Sequence, residues 1–199
     1  MSDTPSLDGF FRVCVKLYSP EPKGIESDAA AFVPIFHEWI REGTLDLVLF
    51  DVADYAHAPD SPGIMLVTHE ASFALDRSDG RFGLFVQRRT PIEGDAVHAI
   101  AATLRHAIQV ACMLERDPRL EGRLKFDAAR PRIEANDRLR VPNTDEGFRT
   151  FAPAVQAALG AVYPGREIRI ARVENDPRDR LTLDVRVAAE QGAGSELAA

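Results

Sequence analysis

Leu45-Asp-Leu-Val-Leu-Phe-Asp-Val-Ala-Asp-Tyr55, Ile64-Met-Leu-Val-Thr-His-Glu-Ala-Ser-Phe-Ala-Leu75 and Arg81-Phe-Gly-Leu-Phe-Val-Gln-Arg-Arg89 follow one another, parted by the turn-forming segments Ala58-Pro-Asp-Ser-Pro-Gly63 and Arg77-Ser-Asp-Gly80. Each run is β-branched or aromatic and bounded by Pro, Gly or Asp, so three strands in succession are expected. Links this short join antiparallel neighbours. Pairing Asp76 with Arg81 sets Leu75 against Phe82, Phe73 against Leu84 and Ala71 against Val86, which gathers the apolar side chains on one face and lays Arg88 across from His69. The first run opens with apolar residues on both faces, the pattern of a central strand.

Outward from this stretch the periodicity alternates between two and 3.6. Phe11 to Tyr18 reads as a half-buried strand, with Phe11, Val13, Val15 and Leu17 inward and Arg12, Cys14 and Lys16 outward. A helix follows, capped by Ser27 or Asp28, with Phe32, Ile35, Phe36, Trp39 and Ile40 as its stripe, Pro34 in its first turn or at a kink, and Gly43 as its stop. Ala96 to Glu115 is the longest helix. Its core stripe is Val97, Ile100, Leu104, Ile108, Ala111 and Leu114, and it is apolar around so much of its circumference that it must pack on two sides, against sheet and either a helix or a second subunit. Residues 119–143 are charged and irregular, with short strands expected at Leu124–Phe126 and Arg138–Val141 and a loop or edge at Arg130-Pro-Arg132. Asn143 with Glu146 reads as a capping box for a helix through Val162 with Pro153 as a kink. Glu167–Val173 and Arg180–Val187 form a hairpin. The order specifies an α+β fold, a mainly antiparallel sheet with helices packed on one face, in one domain over residues 1–187, with 188–199 a disordered tail.

Hydrophobic residues make up 45% and charged residues 28% of the 199, the balance of an ordinary globular protein that needs no metal or disulfide staple. A net charge of −7 disfavours nucleic acid and anionic membrane as partners. Cys14 and Cys112 form no metal-ligand spacing and read as small buried hydrophobes. Residues 1–8 do not read as a signal peptide, and the expected address is the cytoplasm.

The polar residues that a core strand does not need are Asp51, Asp54, Tyr55, His57, His69 and Glu70. A hairpin between 45–55 and 64–75 brings Asp51 opposite residues 68 to 70. There a histidine flanked by carboxylates suits general-base work, and paired carboxylates and histidines suit a divalent metal. Against this, period-2 counting sends Asp54 away from Asp51, Tyr55 and His57, and His69 away from Glu70, so all six do not converge. The plain alternative is that they bond turns and strand ends. His98 and His106 stand eight apart on a helix and cannot chelate one ion. The arginines from Arg116 to Arg140 suit an anionic ligand or acidic partner, although carboxylates are interleaved with them. GxGxxG, P-loop, GxSxG and HExxH motifs are absent. Asp51-Val-Ala-Asp-Tyr-Ala-His57, followed by Pro62-Gly63 and His69-Glu70, resembles a stretch in uncharacterised bacterial proteins of similar length. The likeness covers most of the chain. It implies a bacterial, soluble, single-domain protein and attaches no activity to any residue.

The expectation is a non-catalytic accessory protein, a homodimer, binding a small ligand or a protein partner. The alternative is a metal-assisted or acid/base enzyme with a site built from the 51–70 strands, its candidates being Asp51, Asp54, Tyr55, His57, His69, Glu70 and Arg88. No cofactor is assigned in either case.

Overall fold

The structure, a computed structural model, describes residues 6–20, 22–25, 29–55 and 63–189. His57, the Ser27 and Asp28 caps and the tail from 190 onward lie outside the described residues.

Eight strands form one antiparallel sheet: β1 (Val13–Tyr18), β2 (Leu49–Asp54), β3 (Ile64–Thr68), β4 (Ala71–Asp76), β5 (Gly83–Arg88), β6 (Arg132–Ala135), β7 (Ile168–Arg172) and β8 (Thr182–Val187). Their order across the sheet is β2-β3-β4-β5-β1-β6-β8-β7. Strands β2 to β5 are a meander joined by successive turns. Strand β1 comes first in the chain and sits in the middle, paired to β5 on one side and β6 on the other. Three helices, α1 (Val33–Glu42), α2 (Ala96–Arg116) and α3 (Asp145–Val162), share one continuous core with the sheet. The α+β class therefore holds.

The middle run of the opening stretch is two strands rather than one. It folds back at His69-Glu70, where the Thr68 hydroxyl both donates to the Ala71 carbonyl and accepts from the Ala71 amide at 2.9 Å. With neither Gly, Pro nor Asn at the bend, composition gave no signal for this turn. Strand β4 meets β5 with Asp76 opposite Gly83, Leu75 opposite Leu84, Phe73 opposite Val86 and Ala71 opposite Arg88. The expected register is displaced by two residues, a slip that leaves every side chain on its expected face.

The centre and edge of the sheet are exchanged relative to expectation. Strand β2, read as central, is an edge, and β1, read as half-exposed, is buried at all six positions. Alternation tells which face a residue takes and not what covers that face. Strand β6, read as loop or edge, is the link between β1 and β8, whereas Leu124–Phe126 and Arg138–Val141 form no strands; their apolar residues Leu124 and Val141 are buried from loops.

Helix α1 starts with Pro34 in its first turn and ends at Gly43 in the left-handed conformation (φ 60°). In α2 the buried set is Ile100, Thr103, Leu104, Val110 and Leu114 with Ala96, Ala99, Ala101, Ala107 and Ala111, while Val97 and Ile108 are only partly buried. The alanines let the helix lie close to β1 and β5 on one side and to α3 on the other. The second apolar side of α2 is thus taken by α3 within the same chain. It is also the one helix among the described residues long and apolar enough to cross a membrane by composition, and half of it is buried in this core. Cys112, on its outer side, is exposed, contrary to expectation. Helix α3 is capped by Thr144, whose hydroxyl accepts from Gly147 N at 3.1 Å. Asn143 instead reaches the β7–β8 connection, donating to Asn175 Oδ1 and Asp176 O. Gly147 is required there: a Cβ would lie 2.0 Å from the Pro142 carbonyl oxygen.

Candidate functional site

The residues nominated on the 51–70 strands are distributed along the hairpin rather than gathered. Asp51 is exposed opposite Val67, one residue short of the expected partner because Phe50 is bulged out of the β2–β3 ladder. Its Oδ1 accepts from the amide of its neighbour Val52 at 2.8 Å. Asp54 is opposite Ile64, at the far end of the hairpin from His69 and Glu70, about 15 Å away at the usual rise of a strand. Tyr55 follows it, half-exposed. His69 is exposed at the β3–β4 bend, its amide bonded to the Val48 carbonyl. Among the described residues no three of His, Cys, Asp and Glu are grouped as a metal site.

Glu70 and Arg88 are brought together. The Glu70 carbonyl accepts from the amides of Arg89 and Thr90, which places its carboxylate next to the end of β5. Arg88 projects into the helix side of the sheet at 2% exposure, with Nε bonded to the Thr103 hydroxyl of α2 and Nη1 to the Thr90 carbonyl. Burial lowers its pKa, and Glu70 opposes that shift. His106, one turn along α2 from Thr103, joins the group. Burial and the Arg88 charge push its pKa down, while Glu70 and Asp46 push it up. Glu70 Oε2 and His106 Nδ1 are both buried without a hydrogen-bond partner. Sequence reading placed His106 as a lone helix residue, because its neighbours come from β5, a turn and the α1–β2 link.

A second cluster occupies the helix-free face. Lys16, 2% exposed on β1, donates to Asp76 Oδ2 and Asp79 Oδ1, each at 2.6 Å. Asp79 is the hub: its carboxylate also accepts from Tyr18 Oη at 2.7 Å, Arg132 Nη1 at 3.2 Å and the Arg81 amide at 3.2 Å. These donors hold its pKa below the usual carboxylate range although burial alone would raise it. The Arg81 guanidinium lies 3.5 Å from the centroid of the Tyr18 ring, a cation–π stack. The cluster ties the β4–β5 turn down over β1. This explains the register slip, since Asp79 and Arg81 are used by β1 and leave the ladder to begin at Gly83. Lys16, Asp76, Ser78, Asp79, Phe85, Glu134 and Arg180 line a hollow of about 230 Å³. Its acid and base groups are mutually satisfied, which makes it a structural clamp.

The third cluster is where charge is left over. Residues 1–100 carry 8 Lys or Arg against 16 Asp or Glu; residues 101–199 carry 16 against 15. Among the described residues, the arginines of β7 and β8 stand at the β7 end of the sheet. Arg169 of β7 stands directly opposite Arg186 of β8, both exposed on the helix-free face. Like charges in that position repel. Arg130, paired with Asp127 at 3.5 Å, joins them around an open hollow of about 320 Å³, whose lining among the described residues holds one acid, Glu167, bonded to Arg169 at 2.9 Å. Among the described residues the Arg186 side chain has no hydrogen bond and no ion pair. At the opposite end of β8, about 20 Å away at the usual rise of a strand, Asn136, Arg138, Arg178, Asp179 and Arg180 line a separate hollow of about 450 Å³. The arginine-rich segment recognised in the sequence supplies Arg130 and Arg138, and the C-terminal hairpin supplies the rest. No family model matches the chain, and no curated protein matches it.

Proposed function

We propose that this protein is a non-catalytic binding protein of the cytoplasm that recognises an acidic segment of a protein partner with the arginine-bearing end of its sheet. The carrying observation is the Arg169–Arg186 cross-strand pair with Arg130 at the same hollow. A fold that sets two arginines opposite each other, and leaves one without a counter-charge, gains when a carboxylate bridges them. Guanidinium forks suit carboxylates. Arg130, Arg169 and Arg186 come from three separate segments around one open hollow, a spread that suits an extended chain better than a single small carboxylate. The interleaved Glu167, Asp179 and Asp184 disfavour a continuous phosphate backbone.

The test is fluorescence anisotropy of a glutamate-rich peptide at low and at physiological salt, against the wild type and an Arg169→Glu/Arg186→Glu double variant. Binding that weakens with salt and is lost in the double variant supports the proposal. A wild type that ignores the peptide, or prefers an oligonucleotide of the same charge, refutes it. A homodimer remains part of this reading, although the apolar α2 no longer argues for it. The enzyme alternative is favoured by one observation, the buried and unpartnered atoms of Glu70 and His106 beside Arg88. Native mass spectrometry of the purified protein with and without chelator decides it: a stoichiometric, chelator-sensitive metal would transfer the assignment to the Asp51–Glu70 hairpin.

A further inference from the structure

The two edges of the sheet are not equivalent. In the β2–β3 ladder the Tyr55 amide bonds to the Gly63 carbonyl, and alternation then turns the amides of Val52 and Asp54 outward. That edge is blunted twice, by the bulge at Phe50 and by the Asp51 carboxylate that takes the Val52 amide. Both are devices that stop a further strand from adding. In the β7–β8 ladder Val173 N bonds to Thr182 O and Ala188 N to Glu167 O. The same alternation turns the amides and carbonyls of Ile168, Ile170 and Arg172 outward. Strand β7 has no bulge and no proline, its pairing with β8 is unbroken, and no side chain among the described residues bonds those outward groups.

Resting on the reading above, we infer that β7 is the docking edge and that the acidic partner segment adds there as a ninth strand. Main-chain hydrogen bonds to Ile168, Ile170 and Arg172 fix the segment in place. Its alternate side chains on the helix-free face meet Arg169 directly, and Arg186 lies one strand further in, about 5 Å across the sheet. Arg130 lines the hollow at the Glu167 end. The arginines also select the occupant. A second copy pairing through β7 brings two copies of Arg169 together on the helix-free face and is repelled, whereas a segment with carboxylates at every second position is attracted.

The probe is a peptide of about six residues alternating glutamate with valine, made in three forms: unmodified, N-methylated at the glutamates, and N-methylated at the valines. In a strand only one alternate set of amides faces β7. Methylation of that set should weaken binding about tenfold or more, and methylation of the other set should leave it within about threefold. In addition, amides of Ile168, Ile170 and Arg172 should gain hydrogen-exchange protection when the unmodified peptide is bound. Equal affinity of all three forms, with no new protection in β7, overturns strand addition and leaves the electrostatic reading standing. Failure of the unmodified peptide to bind at all overturns both.

Discussion

Replacing Lys16 by methionine tests how the helix-free face is held together. The ammonium is buried between two carboxylates at 2.6 Å. Methionine keeps the length of the side chain and fits beside Phe85, so volume is nearly conserved and the loss is of charge. What remains is Asp76, 4% exposed, its carboxylate bonded among the described residues only to the Ser78 amide and hydroxyl, and Asp79, still served by Tyr18, Arg132 and the Arg81 amide. Removing one partner of a buried pair costs about 3–5 kcal/mol. The lower part of that range is expected, because Asp79 keeps three donors and its side chain is 28% exposed. About 3 kcal/mol moves the melting point of a domain this size by roughly 10 °C. Equilibrium urea unfolding by circular dichroism measures it, with the slope as a check that the unfolded state is unchanged. Asp79→Asn should cost less, about 1–2 kcal/mol, and the double variant should fall short of the sum, since each substitution removes the same contact. A loss below about 1 kcal/mol for Lys16→Met, or strict additivity in the double variant, would refute the view of this cluster as a clamp.

Gly147→Ala should lower stability by about 2 kcal/mol in the same assay, because the added methyl meets a backbone oxygen that only a shift of the α3 start relieves; an unchanged midpoint would show that this start gives way freely. Asp51→Ala should release the Val52 amide and raise the proportion of large species in sedimentation at increasing concentration, and identical profiles would remove Asp51 as an edge guard. Stability should fall in two steps on acidification. The folded-state pKa of His106 is depressed, so its contribution is complete above the unfolded value of 6.5 and drains away as pH falls towards the lower folded value. Asp79, depressed from 3.8, loses its contribution below that value. Urea midpoints measured from pH 8 to pH 3 should show both windows, and His106→Gln should erase the upper one; a midpoint that is flat between pH 7 and pH 5 would show that His106 takes up its proton as easily folded as unfolded.

Facial pattern was legible in the sequence, and neighbourhood was not. The inward set Leu181, Leu183, Val185 and Val187, the Gly43 stop, and the faces of β4 and β5 follow from local periodicity and are seen in the fold. Which strand is central depends on partners far away in sequence. Lys16 sits at an outward position by every local rule, and only Asp76 and Asp79, 60 and 63 residues later, account for its burial. Strand β6 escaped because four residues beside Pro131 are too few to show a period. Of the candidate site, the pairing of Glu70 with Arg88 was within reach, since both lie near the ends of strands known to be neighbours. His106 was not, because its position depends on how α2 settles across β5. The Arg169–Arg186 pair was readable from the C-terminal hairpin once its register was fixed; the balanced count of charges around it hid the surplus.

Strand β1 also sets a timetable for folding. Cys14 is paired with Gln87 on one side and Glu134 on the other, separations of about 70 and 120 residues. Chains rich in such distant pairings fold slowly, because loop closure must precede the contacts that reward it. On the ribosome, β1 emerges before the strands it pairs with, and its second neighbour β6 is made about 120 residues later. Until then a strand of six core residues has one open side, and the nascent meander β2–β5 can offer it only one partner. Nascent chains stopped anywhere between α2 and β6 should therefore be the ones that chaperones hold, and the C-terminal third acts as the closing half of a sheet begun at residue 13.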